Sequence, residues 1–485
     1  MRKPKLETAS PPRKLARSAL CSAHTGLLAL LLCGMLALLA PTSSGHAQSS
    51  LSSSAAVSSE QAARLEAASP PRLAPPLPAV SKRTNKDWSR FARAIKREGV
   101  IWSDNGKGRY PIGAVRLGGL VRVNPIKGGA RCKGGWYAVE PMGYACAAEG
   151  WRIGKRPPPV GQVLKAPDRR KVLPYTYVKA HGEKLLRFGK QPSAAQRRRA
   201  LSGDSQLLTA LEGRPLEGTY FLAIDRERGR GPNHWLLTLE GNFIHVGSIK
   251  RLEPSRLRGE ALKAGHSLPM AFVIEDGAQV SQRTGGTLKP AGSAERYARV
   301  PLRTAKTTHG HVRMRDGRLL RAADVRVAAR VKRPQSIADG ERWIHIDLKN
   351  QTLVAYEDDR PVYATLISSG LPGKNTPNGL YRARYKHASI TMRGSDEDGP
   401  YEVQEVPWVF FFEGAYAVHG AYWHDTFGNP RSHGCVNVAP ADARWLFDFV
   451  SPELPAGWHS AFNAGTHVYL TGSGEEPPPA SSPSS

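Results

Sequence analysis

Cysteine is scarce in this chain, with five among 485 residues. That excludes a framework of many disulfides, and no ligand spacing matches a common zinc pattern, so a resident metal is not expected. No internal repeat recurs at a fixed period, which excludes solenoids and propellers. Acidic residues are also few, 41 against 69 Lys and Arg, for a formal charge of +28. None of the usual nucleic-acid-binding motifs accompanies that charge, and nucleic acid is not an expected partner. The imbalance is local: residues 341–485 carry a net −7 and the remainder +35. A basic front of this kind suits anionic envelope polymers or lipid heads, and equally a solvated surface with no specific partner.

One apolar run stands out near the start. GLLALLLCGMLALLA, Gly26 to Ala40, follows a basic leader and precedes small residues that fit a cut after Ala47. It is short for a bilayer span and has the pattern of a signal peptide, with retention as an anchor the alternative. Export to the periplasm or cell envelope is the expectation. Cys21 and Cys33 would leave with the leader, so Cys132, Cys146 and Cys435 remain in a disulfide-permissive compartment. Cys132 and Cys146 bracket a segment with a Met-Gly turn and read as a stapled hairpin, two unpaired thiols being the alternative. Cys435 is then the odd thiol.

Composition divides the rest. Residues 1–47 are the signal peptide, and 48–84 form a Ser-, Ala- and Pro-rich linker unable to build a core. Residues 85–175 open with KDWSRFARAIKRE, read as a short amphipathic helix, and continue as short apolar runs broken by Gly and Pro, a small β-rich domain. Residues 176–335 read as a β-rich middle domain, with QPSAAQRRRALSGDSQ an exposed connection. Residues 336–473 give the clearest pattern: WIHIDL, TLVAY and VYATLISSG form a meander, VPWVFFF and YAVHG a hairpin, and PADARWLFDFV a short helix with Pro440 in its first turn. Residues 474–485 are a disordered tail. The fold class is mainly β.

Cys435 lies in RSHGCVN, one glycine from His433. A thiol attacks as thiolate, which a nearby imidazole stabilises or generates. His433 shares a face with Cys435 if the segment is extended, and His419 approaches from the preceding strand. Gly434 has no Cβ, so a carbonyl can come close to the Gly434 and Cys435 amides. A buried structural cysteine, a metal site of His419, His424, His433 and Cys435, and an accidental thiol are the competing readings. Trp408, Tyr422 and Trp423 lie nearby; Trp408 reads as packing, the other two as packing or as stacking against a peptide. Met392, in ITMRGSDEDGP, belongs to a surface loop or to a flap over a groove.

His419-Gly420, followed after a loop by SHGCVN at Ser432 to Asn437, resembles the signature of the L,D-transpeptidase catalytic domain family. WIHIDLKNQTLVAYEDDRPVYATLISSG resembles that family's opening strands and TPNG, Thr376 to Gly379, its TP-x-G turn. The resemblance implies a β-sandwich-like domain with Cys435 as nucleophile and His419 as general base, oriented near Gly420. It makes His433, Gly434 and Cys435 the oxyanion region, with Arg431, Ser432 and Asn437 supporting or contacting substrate; Gly420, Tyr422 and Trp423 complete the substrate-side candidates. The implied reaction is cofactor-free acyl transfer on peptidoglycan stem peptides, in the service of cell-wall biogenesis and cell shape. An L,D-carboxypeptidase or hydrolase and an inactive wall-binding protein are the alternatives. Only twelve residues separate His419 from Ser432, fewer than is usual in the family. GAVRLGGLVRV with its Cys-bracketed hairpin resembles the bacterial SH3-like domains found beside cell-wall enzymes.

Overall fold

Alternating burial dictates the first sheet. In the strand Arg90–Ala94, Ala92 and Ala94 point inward and are fully buried, while Phe91 and Arg93 face the other side. This corrects the helix expected for KDWSRFARAIKRE. Its three- and four-residue apolar spacing gives way to a two-residue one, because the segment is flanked by Leu120–Ile126 and Trp151–Gly154. The computed structural model describes residues 88–159, 163–182, 185–263, 268–396 and 399–472, all within one compact unit. The leader, the linker and the tail expected at 1–47, 48–84 and 474–485 lie outside the described residues.

Seven short antiparallel strands between Arg90 and Gly154 make the first body. Cys132 and Cys146 are joined in a disulfide, with Cys146 opposite Trp136 in the ladder. Between 176 and 328 the described residues form three separate small cores. One packs Val178, Leu222, Ile224, Leu236 and Ile244, a second Phe188, Ala200, Leu211 and Trp235, and a third Ala271, Val280, Val312, Leu320 and Val325. The connection near 191–206 is not irregular. It forms helices Ala194–Leu201 and Ser205–Ala210, the first begun by a capping box between Ser193 and Gln196.

The C-terminal segment follows its sequence pattern closely. Arg342–Asp347, Thr352–Glu357 and Arg360–Ser368 pair as an antiparallel meander, and His467–Thr471 joins Arg342–Asp347 in parallel. Gly399–Glu413 and Tyr416–Gly420 form the hairpin, turning at Gly414. The helix Pro440–Phe449 packs Ala443, Leu446 and Phe447 into the main core. Its two ends are tied by buried polar groups. Asp442 accepts from the Gly259 amide at 2.9 Å and the Tyr363 hydroxyl at 2.8 Å, and Lys386 Nζ donates to the Phe447 and Val450 carbonyls at 2.6 and 2.7 Å. Lys386 thereby supplies donors to carbonyls that a helix end leaves without partners.

ITMRGSDEDGP, expected as a loop or flap, is the far end of a long hairpin, Tyr385–Asp396 with Gly399–Glu413. The Thr219–Arg228 strand pairs in parallel with that hairpin, Thr219 opposite Tyr401 and Phe221 opposite Val403. The first body is fastened to the same hairpin by Arg116, whose guanidinium bonds both Glu405 carboxylate oxygens at 2.8 and 2.6 Å and also donates to the Tyr175 hydroxyl. Burial raises the Glu405 carboxyl, but the Arg116 charge and the hydrogen bonds from Arg116 and Ser389 outweigh it and hold the group below its usual range. Removing one partner of such a pair strands the other. Arg116→Ala is therefore expected to destabilise the protein by about 3–5 kcal/mol in urea unfolding, whereas the double variant Arg116→Met/Glu405→Leu recovers most of that loss.

Candidate active site

The strands Tyr416–Gly420 and Val436–Val438 run parallel, with Val418 opposite Val436, His419 opposite Asn437 and Gly420 opposite Val438. One step back, that register sets Cys435 beside Ala417. Side chains alternate, so Val418 and Val436 enter the core while Ala417, His419, Cys435 and Asn437 share the other face. His419 and Cys435 are thus diagonal neighbours, a separation that a ring can span.

Both groups are neutral at pH 7. Burial pushes His419 down to about 4, against the opposing pull of the Gly420 backbone. Burial pushes the Cys435 thiol up, and the Ala417 backbone only partly compensates. This corrects the expectation of a sulfur held anionic by a neighbouring imidazole. At rest the thiol donates to the Ala415 carbonyl at 3.7 Å, and buried His419 Nδ1 has no hydrogen-bond partner among the described residues. The site pairs a protonated thiol with a free base.

The SHGC turn is held by a second segment. Ser432 NH donates to the Ser369 carbonyl at 2.9 Å, and the Ser432 carbonyl accepts from Leu371 at 2.9 Å. Thr376 Oγ1 donates to the Gly434 carbonyl at 2.8 Å and accepts from the Gly370 amide at 3.0 Å. The TPNG pattern marks the position of Thr376, but only the fold shows its hydroxyl bridging the two turns. Ser432, buried, accepts the Gly434 amide on its hydroxyl at 3.0 Å and donates to the Cys435 carbonyl. The Gly434 amide is therefore already engaged, which corrects its assignment as an oxyanion donor. Its φ of 123° explains the glycine, since a Cβ there would meet the Tyr416 ring at 2.6 Å.

That bend also removes His433 from the base role. The turn is not extended, alternation does not apply, and His433 lies exposed with its ring stacked on Tyr401, centroids 5.3 Å apart. Arg431 is exposed, its amide bonded to Ser369. Asn437 is buried, and its side chain meets His424 Nε2 at 2.9 Å, so it supports the loop. Burial, then the Arg431 charge, push His424 to about 3. Tyr422 is corrected too: 2% exposed, stacked on Tyr177 at 3.8 Å and donating to the Gln404 carbonyl, it is packing. Trp408 is fully buried, donating to the Val172 carbonyl. Trp423 is half-buried, 5.6 Å from His419 and 6.2 Å from Phe221, and Gly420 sits buried against Pro407. Met392, on its strand, packs in the same apolar cluster as Trp423, Tyr401 and Cys435. Among the described residues no group of His, Cys, Asp and Glu is placed to hold a metal ion.

The short loop from His419 to Ser432 has outside support. Arg326 donates to the Gly428 carbonyl at 2.7 Å and to Asn429 Oδ1 at 3.0 Å, and the Tyr297 hydroxyl donates to the Asp425 carbonyl at 3.0 Å. Ile274 fills the space where a Gly428 side chain would project. Residues of the preceding body thus anchor a loop too short to pack on itself.

Comparison with known proteins places a family over this segment. The model of the L,D-transpeptidase catalytic domain matches residues 341–469. No curated protein matches the chain. Among solved structures, the catalytic domain of an Enterococcus faecium L,D-transpeptidase is 28% identical over 27% of this chain and 98% of its own, with a TM-score of 0.23. An L,D-transpeptidase from Stackebrandtia nassauensis is 23% identical over 28% of this chain and 57% of its own, TM-score 0.21. An avibactam carbamoyl enzyme, Ldtfm, is 25% identical over 30% of this chain, TM-score 0.24, and the chain spans 55% of its length.

Proposed function

We propose, from the premise that residues 341–469 are an L,D-transpeptidase catalytic domain, that this protein is an exported cell-wall enzyme that acylates Cys435 with a peptidoglycan stem. The observation that carries the reading is the placement of His419 and Cys435 on one face of a parallel strand pair, the imidazole Nδ1 unpartnered. In the first step Sγ attacks the carbonyl of the stem's diaminopimelate residue as His419 takes the thiol proton. The tetrahedral intermediate collapses, the proton passes to the leaving nitrogen, and D-alanine departs. In the second, an amine of another stem or of a protein attacks the thioester, His419 takes its proton, and the thiol is restored. With the Gly434 amide engaged by Ser432, the Cys435 amide is the donor best placed for the developing negative charge.

Two features favour an envelope location. The leader has the pattern of a secretion signal, and the Cys132–Cys146 disulfide suits an oxidising compartment. The basic front is then suited to anionic envelope polymers or lipid heads. Incubating the full chain with a tetrapeptide stem and an amine acceptor tests the reading by mass spectrometry. A Cys435-linked acyl-enzyme with cross-linked product is expected. A trimmed stem without cross-link would make the enzyme a hydrolase, and binding without a covalent adduct would overturn the catalytic reading.

A further inference from the structure

The wall opposite Cys435 is not made by the matched family segment alone. Pairing of Thr219–Arg228 with Gly399–Glu413 continues the hairpin's sheet outward through Thr176–Ala180 to Ile249–Arg251. One register row crosses this composite sheet: Met392 opposite Val403, Val403 opposite Phe221, Phe221 opposite Lys179, and Lys179 opposite Lys250. Paired residues point to the same face. That face is the one turned toward the thiol, because Met392, Val403 and Phe221 share an apolar cluster with Trp423 and Cys435.

The adjacent row shows where contact with the catalytic segment stops. Ala223 and Tyr177 are buried in that cluster, Leu252 packs partly against it, and Tyr177 stacks on Tyr422. In the row of Phe221, the same face turns from apolar to cationic. Lys179 and Lys250 are exposed there, the Lys179 ammonium lying 5.6 Å from the Phe221 ring centroid. Like charges directly opposite each other in a ladder oppose pairing. Neither lysine has an anionic partner among the described residues. An anion between them would convert an unfavourable pair into a favourable triad.

We propose that Lys179 and Lys250 form a subsite for a carboxylate of the peptide stem whose reacting group lies at Cys435, a proposal that rests on the function assigned above. With strands about 4.8 Å apart, Lys250 stands roughly 14 Å from Val403, the length of about four extended residues. A stem that passes Val403 and Phe221 on its way from the thiol would bring a carboxylate to the two ammonium groups. The body between 176 and 251 is then part of the substrate wall and supplies a charged contact from outside residues 341–469. The carboxylate belongs either to the donor stem or to the acceptor stem.

The full chain is compared with its Lys179→Gln/Lys250→Gln variant, using stems with free carboxylates and the same stems amidated. Acylation of Cys435 reports the donor, and transfer to a stem amine reports the acceptor. In the wild type, amidation is expected to raise KM about three- to tenfold in one of the two half-reactions. In the variant that discrimination disappears with kcat unchanged, and Lys179→Arg/Lys250→Arg restores it. Equal discrimination by wild type and variant in both half-reactions overturns the subsite. Should the wild type form no acyl-enzyme, the function is wrong, and calorimetric binding of free and amidated stems still judges the lysines.

Discussion

Acidification from pH 7 toward pH 4 is expected to unfold this protein. Five histidines are buried or half-buried, and desolvation pushes each far below the ordinary 6.5: His345, His419 and His459 to about 4, His387 and His424 to about 3. Above about pH 7.5 both folded and unfolded chains hold these rings neutral, and stability does not depend on them. Below that value the unfolded chain takes up protons that the folded chain refuses, and stability falls as pH falls. The fall ends only when the folded values are reached, near pH 4 to 3. A tenfold change in proton affinity is worth about 1.4 kcal/mol, so each ring withdraws roughly 3–5 kcal/mol across that window. The five together exceed the 5–15 kcal/mol that holds an ordinary domain.

Two groups oppose the trend. Burial raises the Asp442 and Glu98 carboxyls, so the folded state takes up those protons earlier than the unfolded chain. Two carboxyls do not offset five imidazoles. Glu405 adds to the loss, since its lowered value means that stability present above the usual carboxylate range disappears on protonation. Urea midpoints measured at pH 8, 6.5 and 5 should slip by an amount worth about 2 kcal/mol between the first two, where the unfolded rings become half protonated, and drop sharply at the third. A midpoint unchanged down to pH 4.5 would mean that the rings are hydrated or paired.

The chemistry of the catalytic segment is legible in sequence because its pattern is local. Ile344, Ile346 and Leu348 alternate with polar residues, turns fall at predictable places, and Pro440 opens the helix that it would open anywhere. His419 and Cys435 follow from chain order alone, since a strand end and a glycine turn deliver both to one face. What fails depends on distant partners. Arg90–Ala94 is a strand because two other strands flank it, and nothing within its own residues announces them. Ser193 and Gln196 do carry a capping-box signal, outweighed by the basic, Gln-rich composition around it. The substrate wall is invisible for the first reason in stronger form: Phe221 meets Val403 across 182 residues of chain, and no periodicity in either strand records the pairing. Gly434 illustrates a third kind of limit. Its lack of Cβ reads as room for a carbonyl, whereas its left-handed backbone and the Tyr416 ring already require it.

The resting state of the thiol decides what a pH–rate profile should look like. With Cys435 pushed above its ordinary range and His419 near 4, the ion pair is scarcely populated in the free enzyme. Alkylation by iodoacetamide should therefore rise about tenfold per pH unit from 6 to 8 without a plateau, because only the thiolate reacts. Peptide-driven acylation should behave differently. His419 is already deprotonated above about pH 5, so its readiness as a base is constant across the same range, and proton transfer occurs as the carbonyl is attacked. His419→Ala is then expected to leave alkylation nearly unchanged while slowing acylation by the stem about 10²–10⁴-fold. Cys435→Ala should abolish acylation altogether. A plateau in alkylation already below pH 7, lost in His419→Ala, would instead reveal a stored thiolate and reverse the order of events. The neutral pair has a physical advantage: a protonated thiol resists oxidation, and the reactive charge forms only when a substrate carbonyl is there to receive it.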